Sequence, residues 1–329
     1  MFVSIIIPAY NCAKTIAICL NSILIQENTD YEILVIDDGS NDGTSDIIDG
    51  FAAKNNRIRV IHKINGGVSS ARNLGIKEAQ GEWLMFCDAD DTFEPDALNM
   101  VCDVVAEHDN DYYCFQYIAV NRDGTRKRHI SATADCEYTS IEYIKQILLD
   151  RVNKACWSNV FRSSIAKTVK FDSSLSIGED IYFVLNYITS IKTNVFVSSK
   201  VIYDYVNNSS SVTHDKEKMR RGLSEINVLV LDFLRNKGII DQCRREYDIF
   251  AVTNITYSLY CLKLPDSKSQ MFLKSISSEK EISNNQTMKK YISYLHRGVL
   301  LANVYLEWRF IRTRVINYLL RLSNKESVR

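Results

Sequence analysis

Two carboxylates, Asp88 and Asp90, directly follow the apolar stretch Trp83–Cys87. Residues two apart in an extended chain point the same way, so both carboxylates face one side. Two like charges held so close are costly unless a cation lies between them. Oxygen ligands that leave room for phosphate oxygens favour Mg²⁺ or Mn²⁺. Asp88 and Asp90 are therefore predicted metal ligands; the alternative is an Asp-rich turn in which a carboxylate such as Asp91 caps the next helix.

Three further polar segments each follow a predicted strand. They are Pro8–Asn11 after the first strand, Asp37–Ser40 after the second and Gly66–Arg72 after the third. In a parallel sheet, ligands bind outside the carboxyl ends of the strands. We therefore expect these segments to converge with Asp88 and Asp90 on one edge of the sheet and to form the functional site there.

The elements that must position these segments are predicted from hydrophobic patterning. Short apolar runs typical of buried strands alternate with stretches that carry apolar residues at helical spacing. Strands are predicted at 3–7, 31–37, 57–62 and 83–88, and helices at 13–26, 45–54 and 68–79. This alternation indicates right-handed βαβ units and a mainly parallel sheet, so the predicted fold class is α/β. Later in the chain, strands are predicted at 112–121 and 195–206, helices at 141–149 and 182–191, and helices throughout from 216.

Several enzyme classes lose their main support because their motifs are absent. The turn after the first strand, from Pro8 to Ala13, contains no glycine, whereas a dinucleotide-binding turn needs G-x-G-x-x-G. The chain also has no Walker A loop and no G-x-S-x-G elbow. Dehydrogenase, P-loop and α/β-hydrolase interpretations are therefore disfavoured.

Charge is unevenly distributed along the 329 residues, although 40 basic and 40 acidic side chains cancel. Residues 1–215 are acidic and residues 216–329 are basic, which predicts a domain boundary near 215. The composition, 46% hydrophobic and 24% charged, is that of a globular protein and excludes disordered and fibrous classes. Nine cysteines without CxxC spacing argue against structural zinc and predict reduced thiols in a cytoplasmic protein. Neither a signal peptide nor a transmembrane span is predicted.

The four polar segments, taken in order, resemble the motifs of family-2 glycosyltransferases with the GT-A fold, an inverting group that uses nucleotide-sugars. The motifs are Pro8-Ala-Tyr-Asn11, Asp37-Asp-Gly-Ser-x-Asp-Gly-Thr44, Gly66-Gly-x-Ser-x-Ala-Arg-Asn-x-Gly75 and Asp88-x-Asp90-Asp. Each motif alone is weak, but four in order, each after its strand, are specific. The resemblance covers residues 1–125 strongly and 126–215 more thinly.

The resemblance implies a domain organisation. Residues 1–215 would form a Rossmann-like GT-A catalytic domain with a mixed sheet flanked by helices. Within it, residues 1–100 would bind the nucleotide-sugar and residues 101–215 the acceptor. Residues 216–329 would form an all-α C-terminal extension.

The resemblance also implies which residues bind the donor. They are Pro8, Ala9, Tyr10, Asn11, Asp38, Gly67, Arg72, Asp88 and Ala89. Tyr10 is expected to stack on a uracil face, Asp38 to accept the N3–H of the base, and Arg72 to contact the diphosphate or Asp38. A divalent ion, Mn²⁺ or Mg²⁺, would bridge the two phosphates. Asp90 and Asp88 would bind that ion together with His214, because relatives often carry a histidine at that place.

An inverting transfer needs a base that takes the proton of the acceptor. In the family, an Asp or a Glu-Asp pair at a helix start supplies it, and Glu179 and Asp180 fit, with Asp180 as the base. The alternative is that both carboxylates only favour the helix N-terminus electrostatically. Trp157 resembles part of the acceptor-side segment of the family and would stack on a sugar ring, with burial in the core as its alternative.

The C-terminal end of the chain, residues 289–329, carries nine Lys or Arg residues among aromatic and aliphatic ones. A basic amphipathic helix of this kind is typical of contact with an anionic membrane surface, here the inner face of the cytoplasmic membrane. Packing on the catalytic domain, or a contact in a homo-oligomer, is the alternative. The chain lacks the Gln-x-x-Arg-Trp motif of processive synthases, which favours addition of a single sugar.

The predicted function is transfer of one sugar, a hexose or N-acetylhexosamine, from a nucleoside diphosphate sugar to a glycan or lipid-linked acceptor, as in polysaccharide biosynthesis at the cell envelope. A nucleotidyltransferase on a similar α/β scaffold is the alternative, although its usual Gly-rich basic loop after the first strand is absent. A nucleic-acid partner is not predicted, because the basic residues lack a helix-turn-helix or aromatic RNP signature.

Overall fold

The computed structural model describes residues 1–27, 30–121, 123–129, 133–175, 177–207 and 216–262. Strands and helices alternate along this part of the chain. The strands are β1 (Val3–Ala9), β2 (Tyr31–Asp37), β3 (Ile58–His62), β4 (Trp83–Phe86), β5 (Thr92–Phe93), β6 (Tyr112–Val120), β7 (Arg126–His129), β8 (Cys136–Tyr138), β9 (Asn159–Arg162) and β10 (Val195–Val206). The helices are α1 (Ile16–Leu24), α2 (Thr44–Ala52), α3 (Val68–Glu78), α4 (Ala97–Glu107), α5 (Ser140–Leu148), α6 (Ser163–Ala166), α7 (Glu179–Ile188), α8 (Lys216–Asn236) and α9 (Ile240–Leu262).

All ten described strands belong to one mixed sheet with the order β3-β2-β1-β4-β9-β6-β10-β5, in which β7 also pairs with β6 and β8 with β10. The strands β3, β2, β1 and β4 are parallel, and β9 pairs antiparallel with both β4 and β6. The predicted α/β class is confirmed. Strand order reverses between β1 and β4, and such a switch point opens a crevice at the carboxyl ends of the strands.

The register aligns the ends of the first three strands. Ala9 of β1 pairs with Asp37 of β2, which in turn pairs with His62 of β3. The loops that follow these residues therefore start side by side, as the sequence predicts.

Helices cover both faces of the sheet, which explains why the central strands read as continuous apolar runs. Side chains of β1 alternate between two cores: Ile5 and Ile7 face one core, and Ile6 faces the other. Helices α1, α2 and α4 contribute to the first core. The second core contains residues of α3, α5, α7, α8 and α9. The helices α8 and α9 that follow residue 215 thus share a core with α5 and α7.

Four short strands, β5, β7, β8 and β9, are not predicted by the sequence pattern. Residues 289–329, for which membrane contact is predicted, lie outside the described residues. Within the described ones, no helix combines the length and the apolar character needed to cross a bilayer.

Candidate active site

The loops after β1 and β2 are joined by hydrogen bonds. The backbone N–H of Asp38 donates to the carbonyl of Ala9 at 2.8 Å. Asn11 has a positive φ of 48°; its N–H donates to Oγ of Ser40 at 3.0 Å, and its Oδ1 accepts from the N–H of Asn41 at 2.9 Å. Pro8 and Ala9 end β1, and the side chain of Tyr10 beside them is 52% exposed. An exposed aromatic ring thus stands at the carboxyl edge of the sheet, where base stacking is predicted.

Asp38 is buried and fixes the loop that leads into α3. Its Oδ1 accepts from the N–H of Gly66 at 2.9 Å and its Oδ2 from that of Gly67 at 2.7 Å, and Lys63 forms an ion pair with Oδ1. Gly67 has a φ of +85°, a conformation that residues with a Cβ rarely adopt. The sequence motifs do not indicate Lys63, although it directly follows β3. Binding of the donor base by Asp38 stays a prediction.

Asp37 is a structural turn residue. Its carboxylate accepts from the N–H of Ser40 at 3.0 Å, from Oγ of Ser45 at 2.6 Å and pairs with Nδ1 of His62 at 2.8 Å. Although burial opposes ionisation, these hydrogen bonds lower the pKa of Asp37 to about 2.

The acidic loop after β4 is held against β10 by Asp91. The Asp91 carboxylate accepts from the Tyr203 hydroxyl at 2.8 Å and from the N–H of Val206 at 2.7 Å, while the N–H of Asp88 donates to the Tyr203 oxygen at 3.1 Å. Burial, followed by the charge of Asp88, raises the pKa of Asp91 to about 9. The alternative in which Asp91 caps a helix is wrong, because α4 begins at Ala97. Asp91 instead anchors the loop that presents Asp88, Ala89 and Asp90.

Arg72 is the centre of the site. Its side chain is 4% exposed and projects from the second turn of α3. Nη2 donates to Oδ1 of Asp88 at 2.9 Å, and Nη1 donates to Oδ1 of Asp180 at 2.7 Å and, more weakly, to Oε1 of Glu179 at 3.4 Å. The predicted contacts of Arg72 are the diphosphate or Asp38. In the structure Arg72 contacts a carboxylate of the acidic loop, that of Asp88, and not that of Asp38. One guanidinium joins the acidic loop to the predicted base.

The predicted base lies at the first turn of α7. Gly178 precedes it with a φ of +87°, and Oδ2 of Asp180 accepts from the N–H of Cys156 at 3.2 Å. Burial raises the pKa of Asp180, and the positive charge of Arg72 partly offsets this rise. Burial and the adjacent Asp180 carboxylate likewise raise the pKa of Glu179. A carboxylate that is half-buried, oriented by two donors and raised in pKa has the properties of a general base.

Trp157 follows Cys156 and lies in an aromatic cluster. Its indole is 9% exposed and stacks on the rings of Tyr203 and Tyr205, with centroid distances of 5.0 and 5.4 Å. The ring of Tyr117 meets it edge-on at 4.7 Å. Trp157 is therefore buried among tyrosines, next in the chain to the residue that hydrogen-bonds the predicted base, and its stacking on an acceptor sugar stays a prediction.

The chemistry of the donor set fits a hard divalent cation in part. Asp88 and Asp90 supply carboxylate oxygens at the end of β4, and both side chains are half-buried. Among the described residues, no three His, Cys, Asp or Glu side chains come together as a complete metal site. The third predicted ligand, His214, lies outside the described residues. Oxygens of a bound diphosphate would complete the coordination of such an ion.

Comparison with known proteins identifies the family. The family described as Glycosyl transferase family 2 matches residues 4–173, more than half of the chain. The chain belongs to this family. The glycosyltransferase interpretation is thereby confirmed over the nucleotidyltransferase alternative.

Relatives of this family-2 glycosyltransferase support the assignment over most of the chain. EpsH of Bacillus subtilis, which is named as a glycosyltransferase, is 28% identical over 76% of this chain and 74% of its own. The cholesterol galactosyltransferase of Borreliella burgdorferi is 27% identical over 75% of this chain and 72% of its own.

Solved structures support the fold. The crystal structure of a fragment of S. aureus TarS in complex with UDP-GlcNAc superposes with a TM-score of 0.61 at 21% identity and covers 89% of this chain and 92% of that one. In a longer TarS structure, with a TM-score of 0.55, the match spans 47% of that chain. The family-2 glycosyltransferase described here therefore has the GT-A-like fold that the sequence predicts.

Proposed function

We propose that this glycosyltransferase moves one sugar from a nucleoside diphosphate sugar, with UDP as the nucleotide, to a hydroxyl of a glycan or lipid-linked acceptor, with inversion. The observation that carries the proposal is the position of Arg72. This one buried side chain contacts both Asp88, in the loop that would hold the donor, and Asp180, the proposed base.

The donor would bind across the switch point between β1 and β4. Tyr10 stands exposed at that edge, and the loops that contain Asn11 and Gly67 are fixed by hydrogen bonds to the β2 loop. UDP is favoured because TarS, which has the same fold, was crystallised with UDP-GlcNAc and with UDP.

The donor diphosphate would be held with Mn²⁺ or Mg²⁺ by Asp90 and Asp88, with His214 as a further ligand. When bound, such an ion neutralises the charge that develops on the departing nucleoside diphosphate. Two contacts hold Asp88 in place for this role. Arg72 donates to Oδ1 of Asp88, and the Tyr203 oxygen accepts from the backbone N–H of Asp88.

Asp180 would accept the proton of the acceptor hydroxyl on the side of the sugar opposite the diphosphate. The N–H of Cys156 and the guanidinium of Arg72 orient the two carboxylate oxygens. The positive charge of Arg72 also favours the ionised form of Asp180, opposing the rise in its pKa that burial causes. Glu179 would serve as its neighbour or contact the acceptor, and Trp157 would contact an acceptor sugar. Membrane contact or self-association through residues 289–329 remains part of the proposal.

The test is a thermal-shift screen of nucleotide-sugars with Mn²⁺, with Mg²⁺ and with EDTA, because a ligand that binds only the folded state raises the melting temperature. We expect a UDP-sugar to stabilise the protein only when the divalent ion is present. In Asp180→Asn the thermal shift caused by the UDP-sugar should be unchanged. A separate assay of UDP release should show that this variant has lost turnover. Stabilisation that persists in EDTA would refute the requirement for a metal ion. Full UDP release by Asp180→Asn would refute the role of Asp180 as the base.

A further inference from the structure

The N-terminus of α7, which carries the proposed base, packs directly against the first helix of the C-terminal extension, α8. A Cβ placed on Gly178 would lie 2.8 Å from Cδ1 of Ile226, and one placed on Gly222 would lie 2.4 Å from Cβ of Ile177. Ordinary contacts of a Cβ are 3.4–4 Å. The backbone of each segment thus lies against a side chain of the other with no intervening space.

One face of α8 makes these contacts. Gly222, Ile226 and Phe233 are separated by four and seven residues, which places them on one side of a helix. The ring of Phe233 meets that of Tyr182 in α7 edge-on, with centroids 6.2 Å apart. The contact therefore runs from the residue before Gly178 into α7 itself.

The helix α8 is itself held by α9. Asn227 is buried on α8, and its Nδ2 donates to the carbonyl of Ala251 at 3.3 Å. Its Oδ1 accepts from Nδ2 of Asn254 at 2.8 Å, and its carbonyl accepts from the Tyr247 hydroxyl at 3.1 Å. These three hydrogen bonds, together with the shared apolar core, hold α8 against α9.

We propose that α8 is a positioning element of the active site: Gly222 and Ile226 set the place of the α7 N-terminus and thereby that of Asp180. Asp180 meets partners from two other segments, Nη1 of Arg72 at 2.7 Å and the N–H of Cys156 at 3.2 Å. A displacement of about 1 Å would lengthen these contacts beyond hydrogen-bonding range. The inference rests on the proposed function, because it assigns to Asp180 the role of base.

The experiment compares Gly222→Ala with Gly50→Ala. The added Cβ at Gly222 must move its surroundings by about 1 Å to reach ordinary contact, whereas at Gly50, also in a helix, it meets no heavy atom within 4 Å. Misplacement of a catalytic group by about 1 Å costs up to about 100-fold in rate. We expect kcat for UDP release from the stabilising UDP-sugar to fall about 10- to 100-fold in Gly222→Ala, with the KM and the Mn²⁺-dependent thermal shift unchanged. Gly50→Ala should retain the wild-type kcat.

The milder variant Ile226→Val removes one methyl group next to Gly178 and keeps the test valid if Gly222→Ala does not fold. It should lower kcat without changing the KM for the donor. Wild-type kcat in folded Gly222→Ala or in Ile226→Val, or equal losses in kcat and donor binding, would overturn the positioning role. Asp180→Asn separates a failure of the positioning role from a failure of the proposed function. If Asp180→Asn retains UDP release, Asp180 is not the base and α8 has no base to position. If Asp180→Asn loses UDP release but the α8 variants keep the wild-type kcat, only the positioning role is refuted.

Discussion

Replacing Arg72 by methionine leaves the half-buried carboxylates of Asp88, Glu179 and Asp180 without the buried cation that they share. The Arg72 side chain is 4% exposed, so its ion pairs are little screened by solvent. Removal of one partner from a buried ion pair typically costs about 3–5 kcal/mol. We therefore expect Arg72→Met to lose at least about 3 kcal/mol in the free energy of unfolding at neutral pH. Denaturant unfolding followed by circular dichroism measures this loss.

The matched control is Lys77→Met on the same helix, α3. Lys77 is 78% exposed and forms an ion pair with Glu78 at 3.8 Å, so its loss should cost less than about 1 kcal/mol. Arg72→Lys keeps the charge but not the planar fork that contacts Asp88 and Asp180 together, and it should lie between the wild type and Arg72→Met.

The loss in Arg72→Met should depend on pH. Glu179 and Asp180 already have raised pKa values in the folded protein, against ordinary values of 4.5 and 3.8, and the charge of Arg72 limits both rises. Without Arg72 the folded state binds still more protons than the unfolded state above about pH 4. Its stability then falls more steeply as pH rises. The difference from wild type should widen between about pH 4 and neutrality. A loss under about 1 kcal/mol, or one independent of pH, would refute the central role of Arg72.

Two further predictions concern the acidic loop. Asp90→Ala should abolish the stabilisation by a UDP-sugar with Mn²⁺ in the thermal-shift assay, whereas Asp103→Ala, a change of an exposed carboxylate in α4, should leave it intact; equal stabilisation of both variants would exclude Asp90 as a metal ligand. Tyr203→Phe removes the hydroxyl that donates to Asp91 and accepts from the N–H of Asp88, so it should cost about 1–3 kcal/mol in the free energy of unfolding and weaken donor binding. Unchanged stability and donor affinity in Tyr203→Phe would contradict this bracing role.

The donor half of the fold is predictable from the amino-acid sequence, because the information there is local. Strands β1, β2 and β4 are apolar runs, each followed by a polar segment, and such alternation leaves little choice of topology. The polar ends of these strands can therefore be placed together from the sequence alone. The short strand β9 cannot be predicted, since four residues carry no usable periodicity.

The internal contacts of the site are not predictable in this way, because they join residues far apart in the chain. Arg72 and Asp180 are 108 residues apart, and Asp91 and Tyr203 are 112 apart. A sequence shows which residue types are able to pair, but the pairing is decided by how the helices pack. For this reason the sequence leaves the diphosphate or Asp38 as the partner of Arg72 and a helix cap as an alternative role of Asp91. In the structure Arg72 contacts Asp88 and Asp180, and Asp91 contacts Tyr203.

Asp180→Asn tests the central claim most directly, because the amide keeps the shape of the carboxylate and removes its basicity. The measurement is the rate of UDP release from the UDP-sugar that stabilises the protein, with the Mn²⁺-dependent thermal shift recorded on the same samples. A general base contributes about 10²- to 10⁴-fold. We predict that the rate falls by at least about 100-fold, while the Mn²⁺-dependent thermal shift equals that of the wild type. A rate within about threefold of the wild type, with the donor bound normally, would contradict the claim that Asp180 is the base.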